Sequence, residues 1–127
     1  MIHDEIVGYD VAKLAKEKGF DVPTFGYYRI DTKDWYRTDV YDDWNDSTIR
    51  YSAPTQSLLQ RWLRQEKNIH IEIAATACGY FWIADKTNGT AITDSDVLNR
   101  GTNNGGCFDT YELALEDALK YALENLV

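Results

Sequence analysis

The chain of 127 residues is 44% hydrophobic, 13% aromatic and 27% charged, and its 13 Lys+Arg against 21 Asp+Glu leave a formal net charge of −8. That length suits one compact domain whose core needs neither metal nor disulfide, and the acidic balance argues against a general nucleic-acid or membrane-surface binder, which a negative field repels. No apolar run reaches the roughly 20 residues of a membrane span and no export signal opens the chain, so the expected address is cytoplasmic, with Cys78 and Cys107 reduced.

From Asp10 to Lys18, Val11, Leu14 and Ala15 form an apolar stripe that predicts a first helix, capped by Asp10 and closed by Gly19 and Phe20. From Tyr27 to Tyr51, β-favouring residues broken by polar clusters at Asp31 to Asp34 and Asp42 to Ser47 predict two or three short antiparallel strands. A second helix starts near Ser52 to Pro54, with proline in its first turn, and ends near Asn68; Leu58, Leu59, Trp62 and Leu63 make its apolar face. Ile69, Ile71 and Ile73 then alternate with His70 and Glu72, the pattern of a half-buried strand.

Tyr80 to Asp85 reads as another strand, Asn88-Gly89 as a type I′ hairpin turn returning through Thr90 to Thr93, and Asp94 to Gly106 as a long polar loop. A last helix is expected to start at Asp109, where Glu112 completes an Asp-x-x-Glu capping box and Phe108 and Leu113 have the spacing of a hydrophobic staple. Tyr111, Leu115, Ala118, Leu119, Ala122 and Leu126 form its stripe, and Glu116 with Lys120 an i,i+4 pair on the wet side. The expected fold is α+β: one two-layer domain over 1–127, antiparallel sheet packed with about three helices, its C-terminal part ordered α-β-β-(β)-α.

Nucleophilic catalysis needs a base beside the nucleophile, and only His3 and His70 are available, neither in a recognisable motif with Cys78. The oxygen-rich clusters Asp42, Asp43, Asn45, Asp46 and Asp94, Asp96, Asn99 lack the central Gly and distal Glu of an EF-hand loop, so turn chemistry accounts for them. Thr102 to Gly106 lacks the Lys-Ser/Thr of a phosphate loop. The order of elements from Thr55 to Leu126 is that of a double-stranded-RNA-binding domain, but Asp109, Glu112, Glu116 and Asp117 stand where such a domain needs Lys or Arg. Charge is in fact polarised, at −4 for Met1 to Tyr51, +2 for Ser52 to Asn68 and −6 beyond. No cofactor or metal is expected, and neither nucleic acid nor membrane is an expected partner.

The segment Tyr27 to Tyr51 holds 7 of the 17 aromatic residues, interleaved with charges. Alternate residues of a two-faced strand point away from the core, so Tyr28, Trp35, Tyr36, Arg37, Tyr41 and Trp44 form a candidate interaction surface of interface-anchor residue types.

TQSLLQRWLR at Thr55 to Arg64, AKLAKEKGFDVP at Ala12 to Pro23 and FDTYELALEDALKYAL at Phe108 to Leu123 resemble a family of small uncharacterised proteins of phages, prophages and mobile elements of gut Bacteroidales. That resemblance implies a mobile-element accessory origin and carries no activity, ligand or catalytic residue. In part, Gly79-Tyr80-Phe81-Trp82, Gly106-Cys107-Phe108 and the following helix are similar to HicB-like antitoxins, which implies a shared topology. The resulting expectation is a small acidic protein-interaction module that binds a protein partner through Tyr27 to Tyr51 or the acidic last helix. The alternatives are an acidic inhibitor that mimics nucleic acid, a virion component, and a small enzyme of unrecognised class.

Overall fold

A computed structural model describes residues 4–86, 99–101 and 107–127. The elements run α1 (Tyr9–Glu17), β1 (Thr24–Arg29), β2 (Trp35–Asp42), a single 3-10 turn (Trp44–Asp46), β3 (Arg50–Ser52), α2 (Gln56–Lys67), β4 (Ile69–Thr76), β5 (Gly79–Lys86), β6 (Asn99–Gly101) and α3 (Tyr111–Asn125). This is the expected α+β class and element order. The strands, however, form two antiparallel sheets, ordered β2-β1-β3 and β4-β5-β6, where one was expected.

The closure expected at the end of α1 is kept. Gly19 adopts φ +91°, and its N–H donates to Lys16 while that of Phe20 donates to Ala15 at 2.9 Å, a Schellman closure that buries Phe20 against Trp62. The start of α1 corrects the sequence reading. Gly8, not Asp10, is the N-cap and offers no side chain; instead Glu116 of α3 accepts the Gly8 N–H at 2.8 Å, so the cap is tertiary. Glu116 also accepts from Gln56 Nε2 at 3.1 Å and therefore does not lie on the wet face with Lys120.

Helix α2 begins one residue after its N-cap Thr55, whose hydroxyl accepts from Leu58 N–H, and ends at Asn68 in the left-handed conformation. Pro54 thus precedes the helix, and its carbonyl accepts from Val7, joining the N-terminal segment to α2. In α3 the cap is Thr110, accepting from Leu113 N–H; Asp109 lies one position too early, which dissolves the capping box and the Phe108–Leu113 staple. The expected stripe holds at Leu115, Ala118, Leu119 and Ala122, which are buried and joined by Ala114 and Leu123, while Tyr111 is exposed.

The main core gathers Val11, Ala15, Leu59, Leu63, Ile69, Leu119 and Leu123 from all three helices and β4, with Val7 and Phe20 from the segments flanking α1. A smaller cluster sets Trp82 against Ala118, its indole N–H donating to Asp117 at 2.8 Å. Ile71 and Ile73 join both clusters, as the two-residue alternation of β4 predicts. The Asn88-Gly89 turn and its return through Thr93 lie outside the described residues, and β6 at Asn99–Gly101 replaces part of the expected loop with strand.

Cys78 and Cys107 are joined in a disulfide, which corrects the expectation of reduced thiols. Cys78 stands in the tight β4–β5 turn, and Tyr80 and Phe108 exchange backbone hydrogen bonds beside it at 2.8 and 3.0 Å. Gly79, at φ +143°, brings its backbone so close to the Phe108 carbonyl that no side chain fits there. The end of the hairpin is thereby tied to the entry of α3.

Candidate interaction surface

Strand β2 is exposed along almost its whole length, and among the described residues β1 is its sole strand partner. Tyr27 pairs in register with Tyr36, Tyr28 with Trp35, and Gly26 with Arg37, after which β2 bulges before Thr24 meets Asp42. Thr38 fixes the bulge by accepting from Val40 N–H and donating to the Val40 carbonyl. This irregularity blunts the open edge of the strand against pairing with another chain.

Strand alternation divides the six sequence-predicted residues three ways. Tyr28 belongs to the core side: its hydroxyl donates to the Val7 carbonyl at 2.7 Å and its ring meets Tyr9 edge-on at 5.8 Å. Burial, and then the charges of Glu116 and Glu5, push its phenol above the ordinary 10.0. Tyr28 is therefore corrected from surface to structural residue, because the α1 helix covers that part of the sheet.

Tyr36 and Trp44 lie together on the opposite face. Tyr27 stacks on Tyr36 with centroids 5.6 Å apart and contacts Trp44 at 5.0 Å, and the Arg50 guanidinium sits 4.8 Å above Tyr27 and 5.4 Å from Trp44. Trp44 also donates its indole N–H to Thr24. These rings and Arg50 are each other's partners, although Tyr36 stays 39% exposed.

Trp35, Arg37 and Tyr41 remain, and the structure brings these three together. They line a groove of about 410 Å³ with Phe25 and Gly26, whose far wall is Asp4, Ile6, Pro54 and Leu58. Phe25 and Tyr41 are each 53% exposed with their rings 4.6 Å apart, and Trp35 is 43% exposed. The indole of Trp35 lies across Gly26 so closely that a Cβ there would come 2.8 Å from its Nε1. Glycine thus makes the floor on which the indole rests. Phe25, just outside the aromatic segment, was missed by sequence reasoning; its place before Gly26 in a strand was the available signal.

Other candidates are absorbed by the fold. In the Asp42–Asp46 cluster, Asp43 caps the 3-10 turn by accepting from Asn45 N–H, while the Asn45 side chain donates to Phe20 and accepts from Ser52. Asp94 and Asp96 lie outside the described residues. Among the described residues, no three His, Cys, Asp or Glu side chains converge in a way that could hold a metal, and no helix is long and apolar enough to cross a membrane. His70 faces Asp85 across the sheet, and Cys78 is held in its disulfide.

A second hollow of about 630 Å³ lies between the start of α1 and α3, lined by Asp10, Asp109, Glu116 and Asp117 with Lys33 and Lys120. Two of those acids are committed inside the fold, Glu116 to Gly8 and Gln56 and Asp117 to Trp82. The acidic last helix is therefore partly structural, and its charge is less available to a partner than the sequence suggested. No protein-family model, curated protein or solved structure matches the chain.

Proposed function

We propose that the protein is an interaction module that grips a segment of a partner protein in the groove walled by β2. The observation that carries this reading is the clustering of Phe25, Trp35 and Tyr41, all substantially exposed, around a hollow with one Arg on its rim. Trp, Tyr and Arg are the residue types that dominate interface energetics: Trp and Tyr bury a large area with only two rotors to freeze, and Arg brings a planar guanidinium with several donors. The neighbouring rings Tyr27, Tyr36 and Trp44 contact one another and Arg50 outside this hollow.

An accessory role in a phage or other mobile element is the setting we propose, supported by the three sequence blocks at Ala12 to Pro23, Thr55 to Arg64 and Phe108 to Leu123. The expected cytoplasmic address was accompanied by the expectation of reduced cysteines, which would have agreed with it. The Cys78–Cys107 link removes that agreement, since disulfides persist chiefly in oxidising compartments.

The test is retention of cellular proteins by immobilised wild type and by a Trp35→Ala, Tyr41→Ala double variant. Both side chains are exposed, so the variant should melt like wild type. A protein held by wild type and lost by the variant supports the reading. Identical retention by both chains overturns it.

A further inference from the structure

We infer that the ligand segment is extended and acidic, with a carboxylate held by Arg37; this rests on the interaction reading above. Sheet β2-β1-β3 carries three arginines, and two are engaged. Arg29 pairs with Asp31 at 2.7 Å, and Arg50 lies over Tyr27 and Trp44. The Arg37 side chain has no ion pair, hydrogen bond or cation–π contact among the described residues, although it lines a groove beside Phe25, Trp35 and Tyr41. Its cross-strand neighbour is Gly26, which has no side chain to occupy it. A planar guanidinium left free in such a place matches a carboxylate with two parallel hydrogen bonds.

The strand wall sets the shape of the occupant. Trp35 and Arg37 project from one face of β2 two residues apart, roughly 7 Å, which is also the repeat between alternate side chains of an extended peptide. An apolar side chain over Trp35 therefore places an acidic one, or a terminal carboxylate, at Arg37. Asp4 on the far wall sets the polarity across the groove and keeps the anion on the β2 side.

The net charge of −8 opposes an acidic ligand, so the two electrostatic effects must be weighed. The distributed charge acts through solvent and is largely screened beyond about 8 Å at physiological ionic strength, whereas the contact at Arg37, although on an exposed side chain, is far shorter than that length. Contact wins in affinity, and the net charge acts on the rate of encounter. Binding consequently holds steady or tightens as salt is raised to physiological levels, opposite to an acidic nucleic-acid mimic on a basic enzyme.

The experiment is selection of random decapeptides on the immobilised full chain, once with free peptide C-termini and once with blocked ones, beside the variants Trp35→Ala, Arg37→Gln and Arg37→Glu. The expected wild-type pool has an aromatic or aliphatic residue two positions from Asp or Glu; a requirement for the free C-terminus would assign the carboxylate to the chain end. A synthetic peptide from the pool should bind Arg37→Gln about 10- to 30-fold more weakly, as expected for an interface arginine. Arg37→Glu should select Lys or Arg in place of the acid. Enrichment indifferent to acidic residues, or unchanged by Arg37→Gln, overturns the carboxylate assignment and leaves the groove. No enrichment over Trp35→Ala overturns both readings.

Discussion

The two sheets treat their tryptophans in opposite ways. In the β4-β5-β6 sheet, Trp82 is buried under α3, its ring against Ala118 and its N–H on Asp117. In the β2-β1-β3 sheet, α1 covers Tyr28 and Tyr51, the rings of Tyr27, Tyr36 and Trp44 pair with one another, and Phe25, Trp35 and Tyr41 are left at the groove. A helix laid on a sheet turns aromatics into core. Where the helix runs out, the same residue types become a surface whose exposed area is available to a partner.

If that division is right, the largest losses of stability fall where α3 meets the core. Leu119 is fully buried among residues of all three helices, so Leu119→Ala should cost about 2–5 kcal/mol in urea unfolding. Trp35→Ala, removing a larger but exposed side chain, should cost far less. Equal costs for the two would erase the distinction between the covered core and the open face at the groove.

Next in size is the covalent tie in the second sheet. Cys78 and Cys107 are 29 residues apart, and constraining a loop of that length in the unfolded chain is worth about 3–4 kcal/mol in the chain-entropy account. A Cys78→Ser, Cys107→Ser double variant should unfold at correspondingly lower urea concentration, with amide exchange rising first at Tyr80 and Phe108. Unchanged stability would show that the Tyr80–Phe108 bridge suffices by itself.

Glu116 joins the halves: it caps α1 from α3 and receives Gln56 from α2. Truncation to Ala leaves the Gly8 N–H without its charged acceptor, at a cost of about 1.5–3 kcal/mol. Denaturant curves for Glu116→Ala and Glu116→Gln should fall in that order, with Gln the milder.

What the sequence disclosed follows the range of each interaction. The αL closure at Gly19, the α2 stripe and the alternation at Ile69, Ile71 and Ile73 are set within a few residues, and each was legible. The cap of α3 was misplaced because Asp109 and Thr110 are adjacent capping residues, and the choice between them depends on which face meets Trp82. The disulfide was illegible for a similar reason: a gap of 29 residues says nothing of a hairpin turn meeting the entry to a helix. Of the candidate surface, residue types could be read but not their facing. The bulge in β2 and the cover provided by α1 separated Trp35, Arg37 and Tyr41 from Tyr28, Tyr36 and Trp44.

Tyr28 offers a smaller test at the boundary between covered and open sheet. Its folded phenol titrates above 10.0, chiefly because burial disfavours the phenolate. The stability it contributes is thus intact below about pH 10, its unfolded value, and is lost as pH rises through the higher folded value. Tyr28→Phe should cost about 1 kcal/mol at neutral pH through loss of the bond to Val7. It should also flatten the fall in stability above pH 10; an unchanged alkaline slope would place Tyr28 in solvent.

The smallest expected change in stability is the most informative about the groove. Gly26 has ordinary backbone angles, so Gly26→Ala is free of the strain that a positive φ would impose, and what it meets is the Trp35 indole at 2.8 Å and the Tyr36 carbonyl at 3.1 Å. The indole sits on an exposed side chain and can swing away at little cost, whereas the backbone carbonyl must give by only a few tenths of an ångström. Net stability should therefore change by less than about 1 kcal/mol, since overpacking penalties grow only where neighbours cannot yield. The indole, once lifted from its floor, should show a shifted Nε1–H resonance and lose the fixed position on which the groove depends. An unmoved Trp35 resonance would mean that glycine is not the floor, and that Trp35 is held by contacts it would make in any strand.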